Sequence, residues 1–343
     1  MSTAAVARPI VKPVLFAVPV LLLLFADALP AAAGETPALF TLTDPLGDDH
    51  GDGNLRYPVR SRNDMLPGQL DLVTFAVRNE KDGTMLEATF SRPITRTQRV
   101  PLDDGGTLMT DVIKLGFYTF NIDVYLDTDG IPGSGNTHLL PGRNAEIDAA
   151  HAWEKAVCLT PLPNQAESLL NRTLAEEQRK VAVAARTDSG RFTSEEKKEI
   201  KEEVLRQTAG SVFFPTRVEI LGRTIRFFVP MSFLGGPAKA EWGWVIAVSG
   251  ADVAGRFDLG KLMGMKKDAP IDPLFIMRAA AGRSEDTFGG ADEDDPAPCP
   301  LIDIIVPPGT TQEKVLGDYN VRKGLPVRLP AVVPAALAPP AKK

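Results

Sequence analysis

The sequence predicts a mainly β protein: an antiparallel β-sandwich carrying an inserted helical segment. Three observations predict it. Short apolar–polar alternations recur along most of the chain, divided by Gly- and Pro-rich turns, as stacked sheets require. "FYTFNIDVYLDTD" (Phe117–Asp129) alternates cleanly, with Phe120, Ile122, Val124 and Leu126 on one face and Thr119, Asn121, Asp123, Tyr125 and Asp127 on the other. One long stretch, residues 164–210, breaks the pattern with polar, helix-period sequence.

The elements follow in order. Residues 1–33 read as an export signal. Arg8 and Lys12 give the positive region, "VLFAVPVLLLLFA" the apolar core, and "LPAAAGE" the small residues at cleavage, after Ala33. The apolar run is short for a bilayer and is broken by Pro19. An uncleaved anchor is the alternative. The expected location is exported, periplasmic or extracellular.

The sandwich is expected over 34–325. "QLDLVTFAVRN" and "MLEATFSR" flank Asp82-Gly83, a hairpin signal. "TRVEILGRTIRFFVP" reads as a second hairpin around Leu221-Gly222. "EWGWVIAVSG", "DPLFIMRAA" and "LIDIIVP" add three strands. Within 164–210, Thr193 and Glu196 form a capping box, and Gly210 suits the helix end. Two helices are expected there, with a partly disordered charged excursion as the alternative. Residues 326–343, rich in Pro and Ala, read as a flexible tail.

Net charge is −6 and no basic stripe is visible, so nucleic acid is not an expected partner. The acidity is clustered, and "DPLGDDHGDGNLRYP" (Asp44–Pro58) is its densest part. Asp44, Asp48, Asp49 and Asp52 offer carboxylates, and Gly47, Gly51 and Gly53 let the backbone turn so that they converge. Asp71, in the next strand, could close the set. Oxygen donors in this number suit Ca²⁺, which takes about six to eight. A solvated turn is the alternative. Asp127 and Asp129 in "DTDGIPGSGN" form a second candidate, for which a Gly-rich hairpin loop is the plainer reading. "DEDD" (Asp292–Asp295) reads as a solvated loop.

Cys158 and Cys299 are the two cysteines, and an oxidising compartment would allow them to pair; two free thiols are the alternative. Trp153, Trp242, Trp244, Tyr118 and Tyr125 are the aromatic candidates for stacking on sugar rings, if exposed; if buried they are core. No Gly-x-Ser-x-Gly elbow, His-Glu-x-x-His pair or phosphate loop occurs, so no enzyme is expected.

Several motifs, in order, resemble one family. They are "DPLGDDHGDGNLRYP", "GQLDLVTFAV", "IDVYLDTDG", "LPGRNAEI" with "AWEKAV", "RFFVPMSFLG", "WGWVIAVSG", and "FGGADEDD" running to "IDIIVPPGTTQEKVLGDYN". The set resembles the C-terminal binding module of glucodextranase, which is similar to DOMON-like β-sandwiches. The resemblance implies a DOMON-like fold, a secreted non-catalytic module, and a carbohydrate ligand, either an α-glucan or an envelope polysaccharide. It favours structural Ca²⁺ as well. The segment 164–210 is longer and more charged than the family pattern. Two alternatives stay open. One is a periplasmic or surface interaction scaffold that docks a protein partner through the helices, favoured if the aromatic set is fully buried. The other is a haem-binding DOMON domain using His50, His138 or His151 with Met109, Met231 or Met277.

Overall fold

Among the described residues fourteen short strands form, the longest of them where the sequence alternates. The computed structural model describes residues 36–59, 64–102, 106–185, 192–253 and 274–337. The strands are β1 (Phe40–Thr43), β2 (Leu72–Asn79), β3 (Gly83–Phe90), β4 (Phe120–Asp127), β5 (Ala145–Ile147), β6 (Lys155–Leu159) and β7 (Val212–Phe213). They continue as β8 (Val218–Leu221), β9 (Thr224–Pro230), β10 (Gly243–Gly250), β11 (Arg278–Ala279), β12 (Thr287–Phe288), β13 (Leu301–Ile304) and β14 (Val327–Leu329). The helices are α1 (Met109–Val112), α2 (Pro163–Ala184), α3 (Ser194–Ser211), α4 (Met231–Leu234), α5 (Gln312–Leu316) and α6 (Pro334–Leu337).

Two five-stranded sheets dominate, in the orders β1-β2-β3-β9-β8 and β13-β10-β4-β6-β7. The pairs are antiparallel except β6 with β7. Both expected hairpins form, β2–β3 across Asp82-Gly83 and β8–β9 across Gly222 at φ +64°. The apolar faces meet between the sheets. Phe75, Val77, Leu86, Phe90 and Phe227 come from the first sheet, and Phe120, Ile122, Val124, Ile246 and Ile302 from the second. Each such side chain removed from water contributes about 1.5–3 kcal/mol.

The other face of β4 departs from a simple sandwich, in which one would expect it to be wet. Asn121, Asp123, Tyr125 and Asp127 are buried too. A second apolar cluster covers that face, built from Leu169 and Leu170 of α2, Ile147 of β5, Val327 and Leu329 of β14, and Leu316 of α5. The second sheet is therefore enclosed on both sides.

The inserted helices form as expected. Thr193 Oγ1 accepts from Glu196 N (3.2 Å) and Glu196 Oε2 accepts from Thr193 N (2.7 Å), a complete capping box. Gly210 does not stop α3. The chain leaves the helix at Val212 and enters β7 directly. Leu174 packs on the outer cluster, whereas Val181, about two turns further along α2, is 70% exposed.

Two expectations are corrected. The Pro/Ala-rich end is not loose over its described part, residues 326–337. Strand β14 pairs in parallel with β5, Val332 exchanges two backbone hydrogen bonds with Trp244 (both 2.8 Å), and Val327, Leu329 and Val332 are buried. Prolines bar a long strand but not short pairings at an edge. The cysteines are unpaired. Cys158 lies on β6, while Cys299 precedes β13, three strands away in the sheet order. Three strand spacings amount to roughly 14 Å, beyond the reach of a disulfide. The expected export signal lies outside the described residues. Among those described, no helix is long and apolar enough to cross a membrane.

Candidate metal centre

The acidic loop leaves β1 and folds back against the starts of β2 and β13. Asp44 N donates to Val73 O (2.9 Å), Gly47 N to Asp71 Oδ2 (3.0 Å), and Gly51 N to Ile302 O (2.9 Å). Gly47 and Gly51 sit at φ +86° and +59°, and a Cβ on Gly51 would meet Leu55 Cδ1 at 2.6 Å. Two β-bulges flank this contact. β2 carries an extra residue between Leu72 and Thr74 opposite β3, and β13 carries one opposite Val248/Ser249 of β10. Bulges re-aim the neighbouring side chains. Here those neighbours are Asp71 and Asp303.

The result is a carboxylate cluster. Oxygens of Asp44, Asp48 and Asp303 lie within 4.8 Å of one another. Asp303 Oδ2 accepts from Leu72 N (2.6 Å), and Asp71 Oδ2 from Gly47 N. Four oxygens, Asp44 Oδ2, Asp48 Oδ1, Asp71 Oδ1 and Asp303 Oδ1, are buried without a hydrogen-bond donor. Burial pushes the Asp44 carboxyl up to about 7, with the nearby Asp48 and Asp71 charges adding to it. Burial likewise lifts Asp48 to about 6, and it holds Asp303 well above the carboxylate range, Asp44 being its largest charged neighbour. A positive ion would reverse that order.

Fitness for a metal is decided by those orphaned oxygens. Unpartnered buried polar atoms are expensive, and Asp44, Asp48 and Asp303 bring oxygens together. Hard oxygen donors without sulfur or imidazole match Ca²⁺ or Mg²⁺ rather than a soft metal.

The other members of the loop do different work. Asp49, only 1% exposed, accepts from the Tyr57 hydroxyl and from Gly68 N (2.6 Å) through Oδ2. Asp52 closes a local turn, accepting from Asn54 N (3.0 Å). Asp303 and Gln312 are functional residues that sequence reading missed. Gln312 is 1% exposed. Its Nε2 donates to Asp48 O, to Gly51 O (3.2 Å) and to Ile302 O (3.2 Å), while Oε1 accepts from Ile304 N (2.7 Å). It locks the loop, β13 and α5 into one unit. An inward Asp in the apolar strand "LIDII" was the available signal for Asp303.

The second acidic group is better supplied with donors. Asp127, Asp129 and Glu154 offer oxygens within 4.8 Å. Asp127 bonds Gly130 N (2.7 Å) and His151 Nδ1 (2.8 Å), and Asp129 bonds Ile131 N (2.8 Å) and Ser134 Oγ (2.9 Å). Glu154 Oε2 accepts from Thr128 N (2.7 Å), and only its Oε1 is left over.

The five aromatic candidates are all core, which decides for the buried one of the two alternatives. Trp242 and Trp244 pack between the sheets, tilted by 31° with centroids 6.2 Å apart, at 7% and 1% exposure. Trp153, Tyr118 and Tyr125 belong to the outer cluster. Their polar tips are held inside: Trp153 Nε1 by His138 O (2.9 Å), Trp244 Nε1 by Lys239 O (3.2 Å), the Tyr118 hydroxyl by Asp64 (2.9 Å), and the Tyr125 hydroxyl by Leu140 N (3.1 Å). Each histidine faces a carboxylate: His50 Asp49, His138 Glu146, and His151 Asp127. The haem reading gains no support from that arrangement.

Two packed five-stranded sheets make the fold a β-sandwich, an architecture that includes binding modules. The chain belongs to one family within it, the C-terminal binding module, SLH-like, of glucodextranase, whose model matches residues 39–331. A search of the curated proteins returns no match.

Proposed function

We propose that this protein is an exported, non-catalytic module that binds carbohydrate, an α-glucan or an envelope polysaccharide, on a scaffold stabilised by calcium. The family membership supports binding rather than catalysis, and the name glucodextranase points to a glucan. The N-terminal leader pattern supports export. The observation that carries the calcium part is the set of four buried oxygens without donors, on Asp44, Asp48, Asp71 and Asp303. The ion would be held by these carboxylates and would supply charge compensation.

The test is calorimetric melting in excess chelator, then with Ca²⁺ or Mg²⁺. A ligand at 100 times its Kd adds about 2.7 kcal/mol when it binds only the folded state. A calcium-selective rise in Tm that is absent from Asp48→Ala and Asp303→Ala supports the reading. An unchanged Tm sinks its calcium half, and calorimetric titration with α-glucan oligomers judges the other half independently.

The scaffold reading is favoured by two observations. The aromatic set is fully buried, and α2 and α3 expose Val181, Val183 and Leu205 (70%, 55% and 41%). It predicts that deleting the exposed apolar groups leaves glycan affinity intact while abolishing a protein complex.

A further inference from the structure

With the aromatic candidates buried, the carbohydrate reading lacks a place for its ligand. The surface offers one. A cleft of about 460 Å³ opens beside the acidic loop, within the range that holds small ligands. Its floor is apolar, from Leu55, Leu301 and Leu316. Tyr319, half-buried, stands in its wall.

The rim is charged with one sign. Among the described residues Asp52, Glu146, Asp292 and Asp295 line the cleft and no Lys or Arg does, although Arg328 Nε reaches Glu146 Oε2 from outside at 3.4 Å. His138 is turned to Glu146 Oε1 at 3.5 Å. Burial first, and then the charges of Asp52, Asp292 and Asp295, push the Tyr319 hydroxyl above its ordinary value. Asp292 and Asp295 are fixed by their own turns, each accepting a backbone N–H through Oδ1 (both 2.9 Å), which sets the direction of the second oxygen.

An aromatic ring, an apolar floor and acceptor oxygens at the rim match a sugar: apolar C–H faces against the ring, hydroxyl donors towards the carboxylates. The same rim repels an anionic polymer. The cleft is far larger than a single ion, and its floor offers an ion nothing. We infer that this cleft is the carbohydrate site and that its sugar is uncharged, which favours a neutral glucan over an acidic envelope polysaccharide. The inference rests on the carbohydrate reading above.

The experiment is calorimetric titration of the full mature chain in Ca²⁺ with isomaltohexaose, maltohexaose and hexagalacturonate. One neutral hexamer is expected to bind and the acidic one not. Tyr319→Ala should weaken the neutral hexamer roughly tenfold, with melting used to confirm a fold. Asp292→Asn combined with Asp295→Asn, on a solvent-facing turn, should let hexagalacturonate gain affinity several-fold. Gln178→Ala, in the adjoining cleft beside α2 and α3 and outside the lining of this one, should change nothing. Neutral-hexamer binding that Tyr319→Ala leaves intact overturns the cleft while sparing the carbohydrate reading. Equal binding of the acidic and neutral hexamers overturns the uncharged sugar. Binding of none of the three overturns both this inference and the reading beneath it.

Discussion

Two aspartates on one sheet face the same problem and meet it differently. Asp123, on β4, is 2% exposed, and Asp303, on β13, is 0% exposed. Asp123 points to the outer cluster and meets Arg143 in a two-point pair, Nε to Oδ2 at 2.7 Å and Nη2 to Oδ1 at 3.0 Å. Arg143 is itself wholly buried. Burial alone would lower its proton affinity, but its surroundings, Asp123 first and then Cys158 and Tyr125, together more than offset this and hold the guanidinium charged. Asp303 has one backbone donor and then two more aspartates. The first site carries its cation in the sequence. The second holds like charges together and is complete only with protons or an ion from outside.

The sharpest way to break this comparison is to remove the internal cation. Arg143→Met should cost about 3–5 kcal/mol in urea unfolding, because it strands a buried charge. The loss should be the same in chelator and in Ca²⁺. Adding Asp123→Leu should recover most of it. A loss near zero would mean that Asp123 finds water or another donor, and the contrast would collapse.

Next in size is the external cation. Asp303→Asn should erase the calcium-dependent gain, about 2.7 kcal/mol at 100 times the Kd. In chelator at neutral pH it should be at least as stable as the parent, since an amide is buried without the protonation or charge-burial cost that the Asp303 carboxyl carries. A large loss in chelator would show that the carboxylate is needed for packing rather than for metal.

A smaller effect is expected from pH. Asp44 and Asp48 lie near 7 and 6 in the metal-free fold, against 3.8 unpaired. Folding then favours their protonated forms, so that stability is full below about pH 4. It is lost as pH rises through 6 and 7, because the unfolded chain ionises first. Melting in chelator across pH 4–8 should show Tm falling from these groups, and saturating Ca²⁺ should suppress the fall. A flat chelated profile would argue that the cluster is better solvated than its geometry implies.

The smallest effect belongs to the second acidic group. Asp129 is exposed and already bonded to Ile131 N and Ser134 Oγ. Asp129→Ala should change stability by no more than about 0.5 kcal/mol and leave the calcium response intact. A lost response would move the ion to the loop after β4.

What the sequence determined by itself was local. Alternation and turn residues specified β2–β3, β4 and β8–β9, and the Thr193–Glu196 spacing specified the start of α3, because period and capping are properties of neighbours in the chain. The density of Asp and Gly in Asp44–Gly53 was enough to mark the acidic loop. Tertiary structure decided the rest. It wrapped the polar face of β4 in a second cluster, drew the Pro/Ala-rich end into strand pairing, and sank all five aromatic candidates. It also divided the acidic loop, giving Asp49 to Tyr57 and Asp52 to a local turn, while two bulges brought in Asp71 and Asp303. The physical reason is that a carboxylate's role depends on which donors reach it. Donors 231 residues away, as Leu72 N is from Asp303, leave no periodic trace in the chain.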